Sequence, residues 1–187
     1  GLEAFVKKDY LSAEKYFVRL NKISRYNLFF EDFLGNILLS WVKASENNKN
    51  DSFKFLDKIP ERYHNLKQIQ NSFLHCYFDT PKTQKVFEKL VGSEDSTFSR
   101  YNFFLANYLL FKNKNLKAEK IIRLSRKVHN SNLLIKQAEN FILTENSNKI
   151  KNLFNCRNPK DVVGEIFYVM ANLYSTQKKY QLSNFYL

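Results

Sequence analysis

The chain is poor in glycine, proline, cysteine and methionine, with 4 Gly, 3 Pro, 2 Cys and 1 Met in 187 residues. So little Gly and Pro excludes collagen-like and low-complexity chains, and 44% apolar with 16% aromatic residues excludes a disordered one. Long hydrophobic runs are also lacking, since the longest, over residues 33–42 and 101–111, are short and interrupted by Gly or Asn. A membrane-spanning helix needs roughly 18 or more apolar residues. The sequence therefore predicts a folded chain without a transmembrane segment.

Signatures of catalysis and of metal binding are equally scarce. Cys76 and Cys156 belong to no Cys-x-x-Cys pair and to no His cluster with metal spacing, so we expect ordinary buried or half-buried thiols. His75 adjoins Cys76, but adjacent helical residues point about 100° apart and do not form a nucleophile and its base. No Gly-rich phosphate loop, Gly-x-Ser-x-Gly or His-Glu-x-x-His occurs. We expect no enzymatic activity, metal or cofactor. The helical scaffold of an enzyme whose catalytic domain lies elsewhere is an open alternative.

Acidic residues are few, with 18 Asp and Glu against 30 Lys and Arg and a net charge of +12. Lys supplies 23 of the 30 basic residues, and Asn is almost as frequent at 22. Both have A/T-rich codons, so codon bias alone can account for the basicity. The excess is uneven, because residues 1–93 carry +4 and residues 94–187 carry +8. A basic partner site would therefore lie in the second half.

The hydrophobic pattern predicts helices almost throughout. Apolar residues recur at steps of three and four, and no segment shows the alternation of a sustained strand. The three prolines and several Asn-rich stretches fall between the periodic segments. We therefore expect an all-α fold of about eleven short helices joined by about two to seven residues.

Small residues recur at a regular interval in the middle of the predicted helices. The first series is Gly1, Gly35, Ser72, Ala106, Ala138 and Ala171, with spacings of 34, 37, 34, 32 and 33 residues. A second series follows the first by twelve residues, at Ala13, Ala118 and Ser183. Closely packed antiparallel helices need a small residue where their backbones approach. The sequence therefore predicts a repeat of about 34 residues, each built from two helices.

The residues around these positions resemble the tetratricopeptide repeat (TPR). The last repeat matches the family pattern at Phe167, Met170-Ala171-Asn172, Tyr174, Lys179-Tyr180 and Ser183. The fourth repeat matches it at Leu105-Ala106-Asn107, Ala118 and Ile122. The first repeat is a half-repeat, which matches at Asp9-Tyr10, Ala13 and Phe17. The second keeps Leu34-Gly35-Asn36 with Ser52 and Leu56, whereas the third (Ser72, Thr83, Phe87) and fifth (Ala138, Ile150, Phe154) are degenerate. The tryptophan of the family is absent from every repeat. A different solenoid of helix pairs is an open alternative.

The resemblance implies an α-α superhelix, or solenoid, of about 5.5 antiparallel helix pairs, with residues 1–187 forming one repeat domain. The chain begins and ends inside predicted repeats, and a solenoid end normally carries a polar capping repeat. We therefore expect a segment, truncated at both ends, of a longer bacterial-type TPR protein from an A/T-rich genome. The sequence predicts neither the oligomeric state nor the compartment of the protein. The alternatives are a cytoplasmic protein or, if a signal sequence lies outside this segment, a periplasmic or exported one.

The resemblance also implies where a partner binds. The first helix of each pair would line a concave groove, which we expect to take a peptide or another segment of a protein. The candidate groove residues are Asn36, Asn107, Asn172, Phe103, Tyr168, Phe73 and Arg100. The three Asn follow the small residue in three repeats, and an amide can both donate to and accept from the main chain of an extended peptide.

A basic patch is the second candidate site. It comprises Lys112, Lys114, Lys117, Lys120, Arg123, Arg126 and Lys127. Four of them, Lys117, Lys120, Arg123 and Lys127, could form a stripe that follows a phosphate backbone, which makes a nucleic-acid-binding helical repeat the alternative function. Solvated lysines on a convex face, an acidic protein or a membrane surface explain the patch equally well.

Overall fold

The computed structural model describes residues 1–23, 30–92 and 100–186. Within these ranges every element of regular secondary structure is helical, which confirms the predicted all-α class. The described α-helices are α1 (Leu2–Val6), α2 (Tyr10–Ile23), α3 (Gly35–Ser45), α4 (Lys49–Asp57), α5 (His64–Tyr77), α6 (Thr83–Val91), α7 (Arg100–Phe111), α8 (Asn115–Val128), α9 (Leu133–Leu143), α10 (Pro159–Thr176) and α11 (Tyr180–Phe185). A π-helical turn, Phe30–Leu34, leads into α3, and 3₁₀ segments cover Glu61–Tyr63 and Ser147–Asn152. No described helix is both long enough and apolar enough to cross a bilayer.

One type of turn recurs inside the helix pairs. Six non-glycine residues in the described ranges have positive φ, at intervals of 32 to 39 residues: Lys8, Asn47, Asp79, Asn113, Glu145 and Lys178. At Asn113, the backbone N–H donates to the Leu110 carbonyl, and the N–H of Lys114 donates to the Leu109 carbonyl. The other five turns repeat both hydrogen bonds. This pattern is the Schellman motif, which ends a helix with one left-handed residue, usually glycine.

The small residues of the repeat lie where helices pack. Of the first series, Gly1 is exposed and the others are buried, as are Ala13, Ala118 and Ser183 of the second. A Cβ on Gly35 would overlap the side-chain amide of Asn21, so α2 and α3 approach closely at that point. Four residues beyond the second series, Phe17 and Ile122 are also buried. Buried small residues therefore recur at intervals near 34 residues.

Helix α10 closes the centre of the molecule. Successive helices pack against one another, and α10 in addition packs against α3, which is far from it in sequence. Residues of the π-helical turn, α5 and α7 face α10 across a small cavity of about 20 Å³. Its lining includes Phe33, Phe73, Tyr101, Phe104, Ile166 and Met170. The inner side of α3, α5 and α7 is thus covered by a helix of the same chain.

Candidate functional site: a partly filled groove and a basic helix

The predicted groove residues divide into a buried group and an exposed group. Phe73 and Phe103 have no exposed side-chain surface. The Phe73 ring packs edge-on against Phe104 at 4.9 Å between ring centroids and lies 5.1 Å from the Phe154 ring. These aromatics belong to the core beneath α10, and a partner cannot reach them in this conformation.

Asn107 is also a core residue. It is 1% exposed, and its Nδ2 donates to the Ile150 carbonyl at 3.0 Å, which ties α7 to the 3₁₀ segment Ser147–Asn152. The Ile150 carbonyl also accepts from the Leu153 N–H, whereas a buried Asn107 amide without a partner would cost roughly 1–3 kcal/mol, so this hydrogen bond stabilises the folded chain. In this structure Asn107 is therefore a buried residue and does not line an exposed surface.

The other two asparagines of the predicted ladder donate within their own helical segments. Asn36 Nδ2 donates to the Asp32 carbonyl at 3.1 Å, and Asn172 Nδ2 donates to the Tyr168 carbonyl at 2.9 Å. Asn36 is half-buried, whereas Asn172 is exposed on α10. The three amides therefore do not form one continuous row of surface donors.

Arg100 joins α7 to α10 through a charge pair. Its Nε donates to Glu165 Oε1 at 2.8 Å, and a second guanidinium nitrogen donates to Oε2 at 2.5 Å. Its guanidinium carbon also lies 4.1 Å from the ring centroid of Tyr168. Burial raises the pKa of the Glu165 carboxyl, and the hydrogen bonds and charge of Arg100 offset this only in part. The pair is therefore a partly buried link between α7 and α10.

An exposed stripe runs along the outer side of α10, next to this link. Tyr168 is 40% exposed, and Gly164, Asn172 and Ser175 are exposed at helical steps of three and four residues. Arg100 lies at the side of this stripe, against the Tyr168 ring. Three predicted groove residues, Arg100, Tyr168 and Asn172, are therefore brought together at the surface.

The predicted basic patch is divided by ion pairs. Four of its residues contact side chains of neighbouring segments: Lys112 with Asp79, Lys114 with Gln84, Lys117 with Glu88 and Arg126 with Glu139. The hydrogen bond from Lys117 lowers the pKa of the Glu88 carboxyl, with a further contribution from Gln84. The contacts of Lys117 and Arg126 link α8 to α6 and to α9, whereas Lys112 and Lys114 precede α8. The remaining Lys120, Arg123 and Lys127 are exposed.

Asp79 contributes to an open cleft at the turn between α5 and α6. The cleft has a volume of about 400 Å³ and is lined by Asn47, Tyr77, Phe78, Asp79 and Arg157. Both Lys112 and Arg157 pair with the carboxylate, at 2.5 and 3.0 Å. The hydrogen bond from Lys112 makes the largest contribution to lowering the pKa of Asp79. The carboxylate of Asp79 is therefore paired with two cations, one of which, Arg157, also lines the cleft.

Cys76 and Cys156 form a disulfide, which corrects the expectation of two separate thiols. Their Cα atoms are 5.9 Å apart, within the usual range for a disulfide, and both residues are almost completely buried. The bond connects the last turn of α5 to the segment just before α10, across 80 residues of sequence. Spacing gave no signal for this pair, because folding alone brings the two segments together.

The described residues contain no group of three or more His, Cys, Asp or Glu that could hold a metal ion. No protein-family model matches the chain, and no significant match was found among curated proteins or solved structures.

Proposed function

We propose that this chain is a non-catalytic scaffold for protein–protein interaction, built from TPR-like helix pairs that stack as a short solenoid. Two regularities support the repeat: the buried small residues at intervals near 34, and the six identical turns between paired helices. Each turn ends the first helix of a pair at the same structural position. Such repeat proteins present extended surfaces that suit binding of other proteins.

The proposed partner is an extended segment of another protein, and its binding surface is the exposed stripe of α10 together with Arg100. The observation that carries this proposal is the grouping of Arg100, Tyr168 and Asn172 at the surface, whereas Phe73, Phe103 and Asn107 are buried. A tyrosine supplies contact area and a hydroxyl group at a low cost in side-chain entropy, and is frequent in binding hot spots. The carboxamide oxygen of Asn172 can accept a hydrogen bond from a peptide N–H.

The test is selection of peptides from a random display library on the purified protein. We expect enriched peptides to bind the wild type and to lose on the order of 10-fold in affinity for the variant Tyr168→Ala/Asn172→Ala, as is usual when a hot-spot residue is truncated. Gln177→Ala is the matched control, because Gln177 is exposed at the end of the same helix. It should bind like the wild type.

Stability is measured in parallel by thermal denaturation. Both side chains are at the surface, and the contact of the Tyr168 ring with Arg100 is worth about 0.5–1 kcal/mol, so the double variant should melt only slightly below the wild type. Failure to enrich any peptide, or equal affinity for the wild type and the double variant, would show that this stripe is not the binding surface.

A further inference from the structure

The outer face of α8 combines exposed aliphatic side chains with cations. Leu116 is 86% exposed, Leu124 52% and Val128 75%. Leu116, Lys120, Leu124 and Val128 follow one another at steps of four residues, and Arg123 and Lys127 lie beside them at steps of three and seven from Lys120, so all six share a side of the helix. The opposite side packs inward through the buried Ala118, Ile122 and Ser125. We call the six exposed residues the α8 outer face.

The positive charge of this face is not neutralised by neighbouring carboxylates. Asp79, Glu88 and Glu139 pair with the basic residues at the margins of α8. Within the described part of the chain, the side chains of Lys120, Arg123 and Lys127 have no hydrogen bond or ion pair. The single acidic residue of α8, Glu119, is half-buried. Three cations therefore remain at the surface among three aliphatic side chains.

We propose that the α8 outer face binds the surface of membranes that contain anionic phospholipids. The three cations would contact lipid phosphates, while Leu116, Leu124 and Val128 enter the boundary between headgroups and acyl chains. Amphipathic helices that lie in this interface bind by the same two contributions, electrostatic attraction and buried apolar area. Lys and Arg side chains can extend from the apolar layer to the headgroups. The proposal is independent of the stripe on α10.

Two other partners of a basic surface fit the composition of this face less well. Single-stranded nucleic acid is held by cations together with aromatic side chains that stack on bases, and α8 has no aromatic residue. A nucleic-acid duplex would contact the cations through its phosphates but would leave the side chains of Leu116 and Leu124 without an apolar contact. An acidic protein would have to supply a groove for the convex side of one helix, whereas a bilayer accepts a convex surface directly.

The test is co-flotation of the protein with vesicles of phosphatidylglycerol and phosphatidylcholine, with vesicles of phosphatidylcholine alone for comparison. We expect binding to the anionic vesicles that weakens as salt is added, because exposed charges are screened. Each cation near an anionic surface contributes about 1 kcal/mol, so the variant Lys120→Gln/Arg123→Gln/Lys127→Gln should bind about 100-fold more weakly. Leu116→Ser/Leu124→Ser should lower binding on the order of 10-fold through lost apolar burial.

The matched control is Lys112→Gln/Lys117→Gln/Arg126→Gln, which changes the net charge equally but replaces cations that are already paired with carboxylates. It should weaken binding much less than the outer-face triple variant. Equal weakening by both triple variants, or unchanged binding of the leucine variant, would overturn the proposal. So would retention on duplex or single-stranded DNA without any vesicle binding, or binding only to an acidic protein such as a polyglutamate probe. Circular dichroism checks that each variant folds.

Discussion

The Cys76–Cys156 disulfide should make a large contribution to stability. It closes a loop of 80 residues. In the chain-entropy treatment, closing such a loop lowers the entropy of the unfolded chain by about 15 cal/mol/K, or about 4.5 kcal/mol at 25 °C. Domains of ordinary stability unfold with roughly 5–15 kcal/mol. Loss of the bond should therefore remove a third or more of a typical unfolding free energy.

The measurement is urea denaturation followed by far-UV circular dichroism, with and without reductant. We expect reduction to lower the unfolding free energy of the wild type by about 4 to 5 kcal/mol. The variant Cys76→Ala/Cys156→Ala is the control, because it should unfold like the reduced wild type and show no response to reductant. Alkylation of the denatured, unreduced protein should modify neither cysteine.

Two results would refute this reasoning. One is alkylation of both cysteines without prior reduction, which would show that the bond is not formed. The other is a loss below about 1 kcal/mol on reduction, which would show that the loop is held closed in the unfolded ensemble by other means. Disulfides persist in oxidising compartments, so we also expect the bond after export to the periplasm and not after expression in the cytosol.

Three further predictions concern a turn and two carboxyl groups. Glu145→Gly should raise the unfolding free energy by about 0.5 to 1 kcal/mol, because glycine avoids the penalty of positive φ. Asn113→Gly should raise it less, since Asn tolerates this conformation. A lower melting temperature for Glu145→Gly than for the wild type would contradict this prediction. The raised pKa of Glu165 gives a contribution to stability that is present below the unfolded pKa and is lost as the pH rises through the folded pKa. The melting temperature of Glu165→Gln relative to wild type should therefore increase from acidic to neutral pH. A difference that stays constant with pH would contradict this prediction. The pKa of Asp79 is lowered, so its contribution to stability should be lost as the pH falls through the folded pKa. Asp79→Asn should therefore melt below the wild type at neutral pH and close to it in acid. A difference in melting temperature that persists in acid would exclude this contribution.

The helical class and the repeat interval were both open to prediction because their signals are local. Apolar residues at steps of three and four predict helices from any short window of the sequence. The small residues of the predicted repeat, such as Ala106 and Ala138, recur at intervals near 34, and both are fully buried. The turns were harder to find, because the residues with positive φ, such as Glu145 and Lys178, are not the glycines that usually mark a Schellman motif.

The sequence by itself determined that this chain forms short helices, with small residues at intervals near 34 where those helices pack. Only the tertiary structure decided which faces of those helices are exposed to solvent. Whether α10 reaches α3 depends on the summed angles between all the helices that separate them, and no local pattern encodes that sum. The same long-range folding buries Asn107 and joins Cys76 to Cys156, whereas the positions of Glu88 and Glu139 relative to α8 determine which of its basic residues keep an unpaired charge.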